Sequence, residues 1–297
     1  MLIPYRDNLC SRYAEKMVSI KVGSACNARC SFCVDAGGYD PIGFNPLATA
    51  DEANALREYH TAIVTGGEPL LYIDKVLVLL KQLRPHKSRI VLNTNGFLLT
   101  PEIVSSLNGL IDELQISIHH PDEDKNAVVF GTIRPSFEAM RLALENKWFS
   151  ASINQCFSNI YRPEEHAGAV DKMIDLCCRM GADRLRLTEL KKVSEDQFVP
   201  AEDFYPAGHP AVQRDSRRLI EDGCTYYYQQ SDVTISVKRL CCHAKGKNAQ
   251  AFSCCFIDGD GQKKIDVDTA ETFRVIYGDG NVTSDWIFQP EQANLSS

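Results

Sequence analysis

The sequence predicts an α/β protein built on parallel strands, with a smaller β-rich extension behind it. Two observations carry this. From residue 17 to about 190, short apolar runs alternate with helical stretches in six successive units. Repeated strand–helix units imply parallel strands joined by right-handed crossovers, with helices covering the sheet. After about residue 195 the texture changes to short β-like runs between turn residues. The expected division is therefore 1–195 for the α/β part and 196–297 for the extension.

Taken in order, Met17–Gly23 is the first strand, and a cysteine-rich loop follows it. Thr49–Ala50–Asp51–Glu52 has capping-box spacing and predicts a helix to about Tyr59. Thr61–Thr65 is the second strand, and Asp74 is the expected cap of an amphipathic helix over Lys75–Leu83, closed by Pro85. Arg89–Asn93 is the third strand. Thr100 and Pro101 then give an N-cap with proline at the first helical position. Glu113–Ile118 alternates and is β-branched, which predicts the fourth strand. Ser136–Asn146 is a helix, Ala151–Phe157 a strand, Pro163–Met180 one long helix stopped by Gly181, and Arg184–Glu189 the sixth strand. The tail offers Val233–Val237, Lys264–Val267 and Phe273–Tyr277 as short strands.

Composition narrows the function classes. The 297 residues are 44% hydrophobic and 24% charged, as in a globular protein. A net charge of −7 without a long basic run disfavours non-specific nucleic-acid binding. Met1–Cys10 lacks the apolar core of a signal peptide, and no apolar run reaches the ~18 residues of a membrane span. The expected compartment is a reducing cytoplasm, so the 12 cysteines read as metal ligands or buried apolar groups rather than disulfides.

Chemistry concentrates at Cys26–Asn27–Ala28–Arg29–Cys30–Ser31–Phe32–Cys33. Three soft thiolates at this spacing select an iron–sulfur cluster, zinc or copper(I). With no fourth cysteine nearby, a cubane held here keeps one iron open to a small molecule. A zinc knuckle or a redox cysteine cluster is the competing reading of the spacing alone. Downstream, Ile63–Val64–Thr65–Gly66–Gly67–Glu68–Pro69 reads as a buried strand ending in a glycine turn, one βα unit beyond the cysteines.

Together these stretches resemble the cluster loop and the Gly-Gly-Glu-Pro turn of the radical S-adenosylmethionine (radical SAM) enzymes, including the aromatic Phe32 before the third cysteine. The resemblance implies a six-stranded partial (β/α)6 barrel with its site at the C-terminal strand ends. It implies a [4Fe–4S] cluster on Cys26, Cys30 and Cys33, with SAM on the open iron. Gly66, Gly67, Glu68 and Pro69 then form the site for the SAM amino group, the glycines admitting backbone close to the ligand. Ser117 matches the family's carboxylate-binding serine, and Arg134 offers a second carboxylate contact. Asn95 and Asn154 lie at or near strand ends, within the region of the ribose, and Leu187 falls where backbone flanks the adenine. His119 and His120 depart from the family's usual aspartate–glycine turn. With Glu189 they are the candidates to touch substrate or move protons.

The tail holds Cys224, Cys241, Cys242, Cys254 and Cys255. A cysteine-bearing β region after such a barrel resembles the twitch or SPASM extensions, which carry auxiliary clusters. Neighbouring side chains on a strand point to opposite faces, so one of each vicinal pair is the expected ligand. Cys224, Cys242 and Cys255 are preferred, with Cys241 or Cys254 as a fourth; zinc is the competitor. The activity implied is one-electron cleavage of SAM, then hydrogen abstraction from substrate, with the electron supplied by a donor such as flavodoxin or ferredoxin. A small metabolite, sugar or nucleotide-like substrate is favoured over a ribosomal peptide, because 25 residues before Cys26 leave no room for a peptide-binding domain. A peptide maturase is the alternative. Readings from another class are a non-enzymatic iron–sulfur protein and a zinc-stabilised binding protein.

Overall fold

The computed structural model describes residues 16–33, 43–190, 197–209, 211, 225–238, 255–257, 263–265 and 273–283. Its first half is a run of strand–helix units. β1 (Met17–Lys21) leads through the cysteine loop to α1 (Pro46–Ala55), then β2 (Thr61–Thr65), α2 (Ile73–Leu83), β3 (Arg89–Thr94), α3 (Pro101–Leu107) and β4 (Glu113–Ser117). Next come α4 (Glu123–Phe130), α5 (Phe137–Leu144), β5 (Ser150–Phe157), α6 (Pro163–His166), α7 (Ala169–Met180) and β6 (Arg184–Glu189). β7 (Thr225–Gln230), β8 (Val233–Lys238), β9 (Cys255–Ile257), β10 (Lys263–Ile265), β11 (Phe273–Tyr277) and β12 (Val282–Thr283) complete the described chain.

Strands β1 to β6 are parallel and adjacent in sequence order. One face of this sheet is apolar. Val18, Ile20, Ala62, Val64, Ile90, Leu92, Leu114, Ile116, Ile153, Leu185 and Leu187 are buried in one core with the inner faces of the helices. Side chains alternate across a strand, so the residues between them line the opposite, helix-free face. That face is polar at most positions.

The tail strands do not form a unit standing apart. β11 pairs parallel with β1, and β8 pairs parallel with β6, each carrying an antiparallel neighbour outward. The result is one sheet of ten strands, β12-β11-β1-β2-β3-β4-β5-β6-β8-β7. An open six-stranded barrel leaves two edges of unpaired backbone groups, and these segments cover both. Among the described residues, only β9 and β10 pair separately, antiparallel.

Several elements differ from expectation for local reasons. Helix α1 starts earlier, because Asn45 caps it with Pro46 at the first position, and Thr49 lies inside with its hydroxyl on the Asn45 and Gly278 carbonyls. Asp74 sits in the first turn of α2 rather than capping it. The single helix expected over Pro163–Met180 is two, broken where Gly168 takes φ +78°. Helix α4 was not foreseen, although Asp122 caps it and Gly131 ends it in the left-handed conformation.

Candidate functional site

The cysteine loop leaves the C-terminal end of β1, and the glycine turn leaves that of β2. The two are sewn together by backbone. Gly67 N–H donates to the Gly23 carbonyl at 2.8 Å, and Glu68 N–H donates to the Ala25 carbonyl at 2.9 Å. A Cβ on Gly67 would lie 2.3 Å from the Ala25 oxygen and 2.4 Å from that of Ser24; one on Gly66 would lie 2.6 Å from the Gly23 oxygen. The close approach that makes glycine necessary is therefore to the cysteine loop itself.

Glu68 is fully buried. Its Oε1 accepts from Leu70 N–H at 2.9 Å and the Thr94 hydroxyl at 2.8 Å, and its Oε2 from Asn95 N–H at 2.7 Å. This carboxylate ties the turn to the end of β3. Burial pushes its carboxyl up; these hydrogen bonds oppose that. Pro69 is buried at the start of a short 3-10 turn.

The Asn95 side chain is likewise turned to the cysteine loop. Its Nδ2 donates to Asn27 Oδ1 at 2.7 Å and reaches Cys26 Sγ at 3.7 Å, where Ala28 N–H also donates at 3.4 Å. Arg29 N–H donates to the Phe130 carbonyl at 2.8 Å, so the unforeseen helix α4 anchors the middle of the loop. Phe32 meets the His119 ring edge-on at 5.1 Å, and His119 stacks on Phe130.

The three thiols sit within electrostatic reach of one another. Burial, then the Cys33 and Cys26 sulfurs, raise the Cys30 thiol to about 11, and burial raises Cys26 too. Metal loading of this loop must release protons. Among the described residues no three His, Cys, Asp or Glu groups are gathered closely enough for a single metal ion. A cube of four irons instead takes its thiolates on separate irons. Soft donors, N–H groups aimed at sulfur, and a cation nearby suit such a cluster.

That cation is Arg134. Its guanidinium lies over Phe130 at 3.9 Å and Phe97 at 4.9 Å, and it donates to the carbonyls of Asn95 and, at 3.1 Å, Ser117. Burial lowers its pKa to about 10 while the Cys30 and Glu68 charges oppose that. It bridges the ends of β3 and β4, and its buried Nε has no partner.

A model of the "Radical SAM superfamily" matches residues 20–162. The chain carries a radical SAM domain. Among curated relatives, the GTP 3',8-cyclase of Clostridium perfringens (strain 13 / Type A) is 27% identical over 251 residues, covering 80% of this chain and 74% of that protein. The 7-carboxy-7-deazaguanine synthase of Methanothermobacter thermautotrophicus is 27% identical over 164 residues, 51% of this chain and 64% of that protein. Streptococcus suis SuiB, solved bound to S-adenosylmethionine, superposes with a TM-score of 0.60 at 16% identity over 91% of this chain, which bears on the fold. The chain spans 60% of the SuiB length. A radical SAM domain makes the protein an enzyme that uses SAM and a [4Fe–4S] cluster.

Of the remaining predicted residues, Ser117 ends β4 and its register partner Asn154 lies within β5, both on the helix-free face. Asn154 Nδ2 donates to Gln115 at 3.1 Å, and its Oδ1 is buried without a partner. The Leu187 side chain lies in the core on the other face. Three proton-transfer candidates are otherwise engaged. His119 is buried, accepts from Cys156 N–H at 3.2 Å, and is held neutral by burial, its pKa lowered to about 3. His120 stacks on Tyr161 on the helix side, accepting from Asp122 N–H. Glu189 is buried and accepts from Ala201 N–H at 2.9 Å, anchoring the segment after β6. Cys224, Cys241, Cys242 and Cys254 lie outside the described residues, and Cys255 opens β9.

The helix-free face carries residues that the motif reading passed over. Glu113 lies against Arg89 at 2.6 Å, Arg184 at 3.5 Å and Arg186 at 3.9 Å, and accepts from Ser152 and Gln115. The signal was present: Arg184–Leu185–Arg186–Leu187–Thr188 alternates polar and apolar in a strand expected to be buried on both faces.

Proposed function

We propose that Cys26, Cys30 and Cys33 hold the cluster of this radical SAM enzyme, and that SAM lies between the glycine turn and Ser117. The observation that supports this reading most is the seam between Gly67, Glu68 and the Gly23–Ala25 carbonyls. It fixes the cysteine loop and the turn as one body at the C-terminal strand ends. When bound, the cluster supplies one electron and SAM supplies the hydrogen-abstracting radical. The protein's own share is placement. Glu68 and Arg134 lock the ends of β3 and β4 under the site, and Asn95 and Ala28 present N–H groups to Cys26. Such hydrogen bonds to sulfur tune a cluster's potential.

A small metabolite, sugar or nucleotide-like substrate fits better than a peptide, because the helix-free face is lined with amide and guanidinium groups. Relatives named for GTP cyclisation and deazaguanine synthesis accord with it. The tail cysteines are proposed to bind an auxiliary cluster near that face, and a flavodoxin- or ferredoxin-like protein to deliver the electron. Adding SAM to the reduced, reconstituted enzyme should alter the electron paramagnetic resonance spectrum of its cluster. An unchanged spectrum would sink the assignment of the open iron.

A further inference from the structure

We propose that the substrate carries phosphate, and that Arg184 and Arg186 bind its anionic group on the helix-free face of the sheet. This rests on the reading above and names the substrate class of the same site.

The argument begins with register. Ser117, Asn154, Arg186 and Ser236 are successive partners across β4, β5, β6 and β8, so they form one row on one face. One pleat toward the strand starts, Asn93, Gln115, Ser152, Arg184 and Thr234 form a second row. Strands lie ~4.8 Å apart, which puts the Arg186 backbone about 10 Å from that of Ser117, where SAM is proposed to end. Substrate on these rows is within reach of chemistry at SAM.

Charge then selects the ligand. The chain is net negative at −7, yet here three guanidiniums face one carboxylate, an excess of two positive charges. A purely structural ion pair needs one arginine, and Arg89 fills that role at 2.6 Å. Arg184 and Arg186 stand at 3.5 and 3.9 Å from Glu113, at or beyond hydrogen-bond length, and both side chains are 40% exposed. As residues i and i+2 of one strand they stand about 7 Å apart, a span suited to adjacent phosphate groups bound by planar forks. The buried Oδ1 of Asn154, the register partner of Arg186, has no partner, and neither has that of Asn93, further along the second row on β3. Buried acceptors normally find donors, so the substrate should also offer N–H or O–H groups to these rows.

The test is calorimetric titration of the reconstituted, SAM-loaded enzyme with inorganic pyrophosphate and, separately, malonate. Wild type should bind pyrophosphate, and an Arg184→Ala/Arg186→Ala variant that keeps its iron should bind it at least tenfold more weakly. If that variant does not keep its iron, Arg184→Lys/Arg186→Lys decides. Weaker pyrophosphate binding in it supports the proposal, and unchanged binding overturns it. Malonate binding without pyrophosphate binding would overturn the phosphate assignment. Loss of SAM binding with pyrophosphate binding intact would show that the arginines serve SAM. The titration does not require SAM cleavage, so a failure of the radical chemistry would be seen separately.

Discussion

Gly67 stands against the carbonyl of Ala25, the residue before the first cysteine, and a Cβ on it would meet that oxygen at 2.3 Å. The turn and the cysteine loop therefore cannot be perturbed independently. The contact lies between two backbone segments, neither of which is a flexible side-chain end.

Gly67→Val should consequently lose iron as well as SAM binding. Displacing Ala25 moves Cys26, its covalent neighbour. Iron per chain after reconstitution is the readout. Normal iron with impaired SAM binding would mean that the glycine serves the ligand alone.

Glu68→Gln should destabilise the fold while leaving the cysteines in place. The carboxylate accepts three hydrogen bonds, and an amide nitrogen would face one of those donors. An unsatisfied buried donor costs about 1–3 kcal/mol. Chemical denaturation of the variant should show that loss, and an unchanged midpoint would remove Glu68 from its role as a brace.

His119 gives the fold an acid-side weakness. Burial holds its folded pKa near 3, below the ordinary value of 6.5, so between these values the unfolded chain binds a proton that the folded chain does not. Stability from this group falls as pH drops below 6.5, by up to about 1.4 kcal/mol per pH unit. In His119→Asn the amide oxygen can still accept from Cys156 N–H, and nothing titrates there. Denaturation between pH 4 and 6 should show a slope shallower by about one proton. An equal slope would place the titrating group elsewhere.

The tail carries the largest iron prediction. Reconstituted protein should approach eight irons per chain if two cubanes form. The Cys26/Cys30/Cys33 triple-alanine variant should keep about half. Zinc alone, or no metal, in that variant would refute an auxiliary cluster.

Much of the fold was legible because strands and caps are local. Thr61–Thr65, Arg184–Glu189 and Phe273–Tyr277 run as their apolar patterns indicate, and Thr100 caps α3 as its spacing does. The partners of a strand are not local. Nothing in Phe273–Tyr277 announces that it pairs with β1. Of the candidate site, the two stretches that motifs single out, Cys26–Cys33 and Gly66–Pro69, were legible as neighbours, each following a strand end and joined by backbone hydrogen bonds. The site was not legible where a role depends on packing: Glu68 braces β3, and His119 is sealed between aromatic rings. Arg186 announces itself only once the strand register puts it beside Asn154.

Release of 5'-deoxyadenosine tests the central claim most directly. The reconstituted enzyme is incubated anaerobically with SAM and a strong reductant, beside Cys26→Ala, Cys30→Ala and Cys33→Ala variants. The account predicts 5'-deoxyadenosine from the wild type and none above background from each variant. Full release from any one variant, or none from iron-replete wild type, would contradict it.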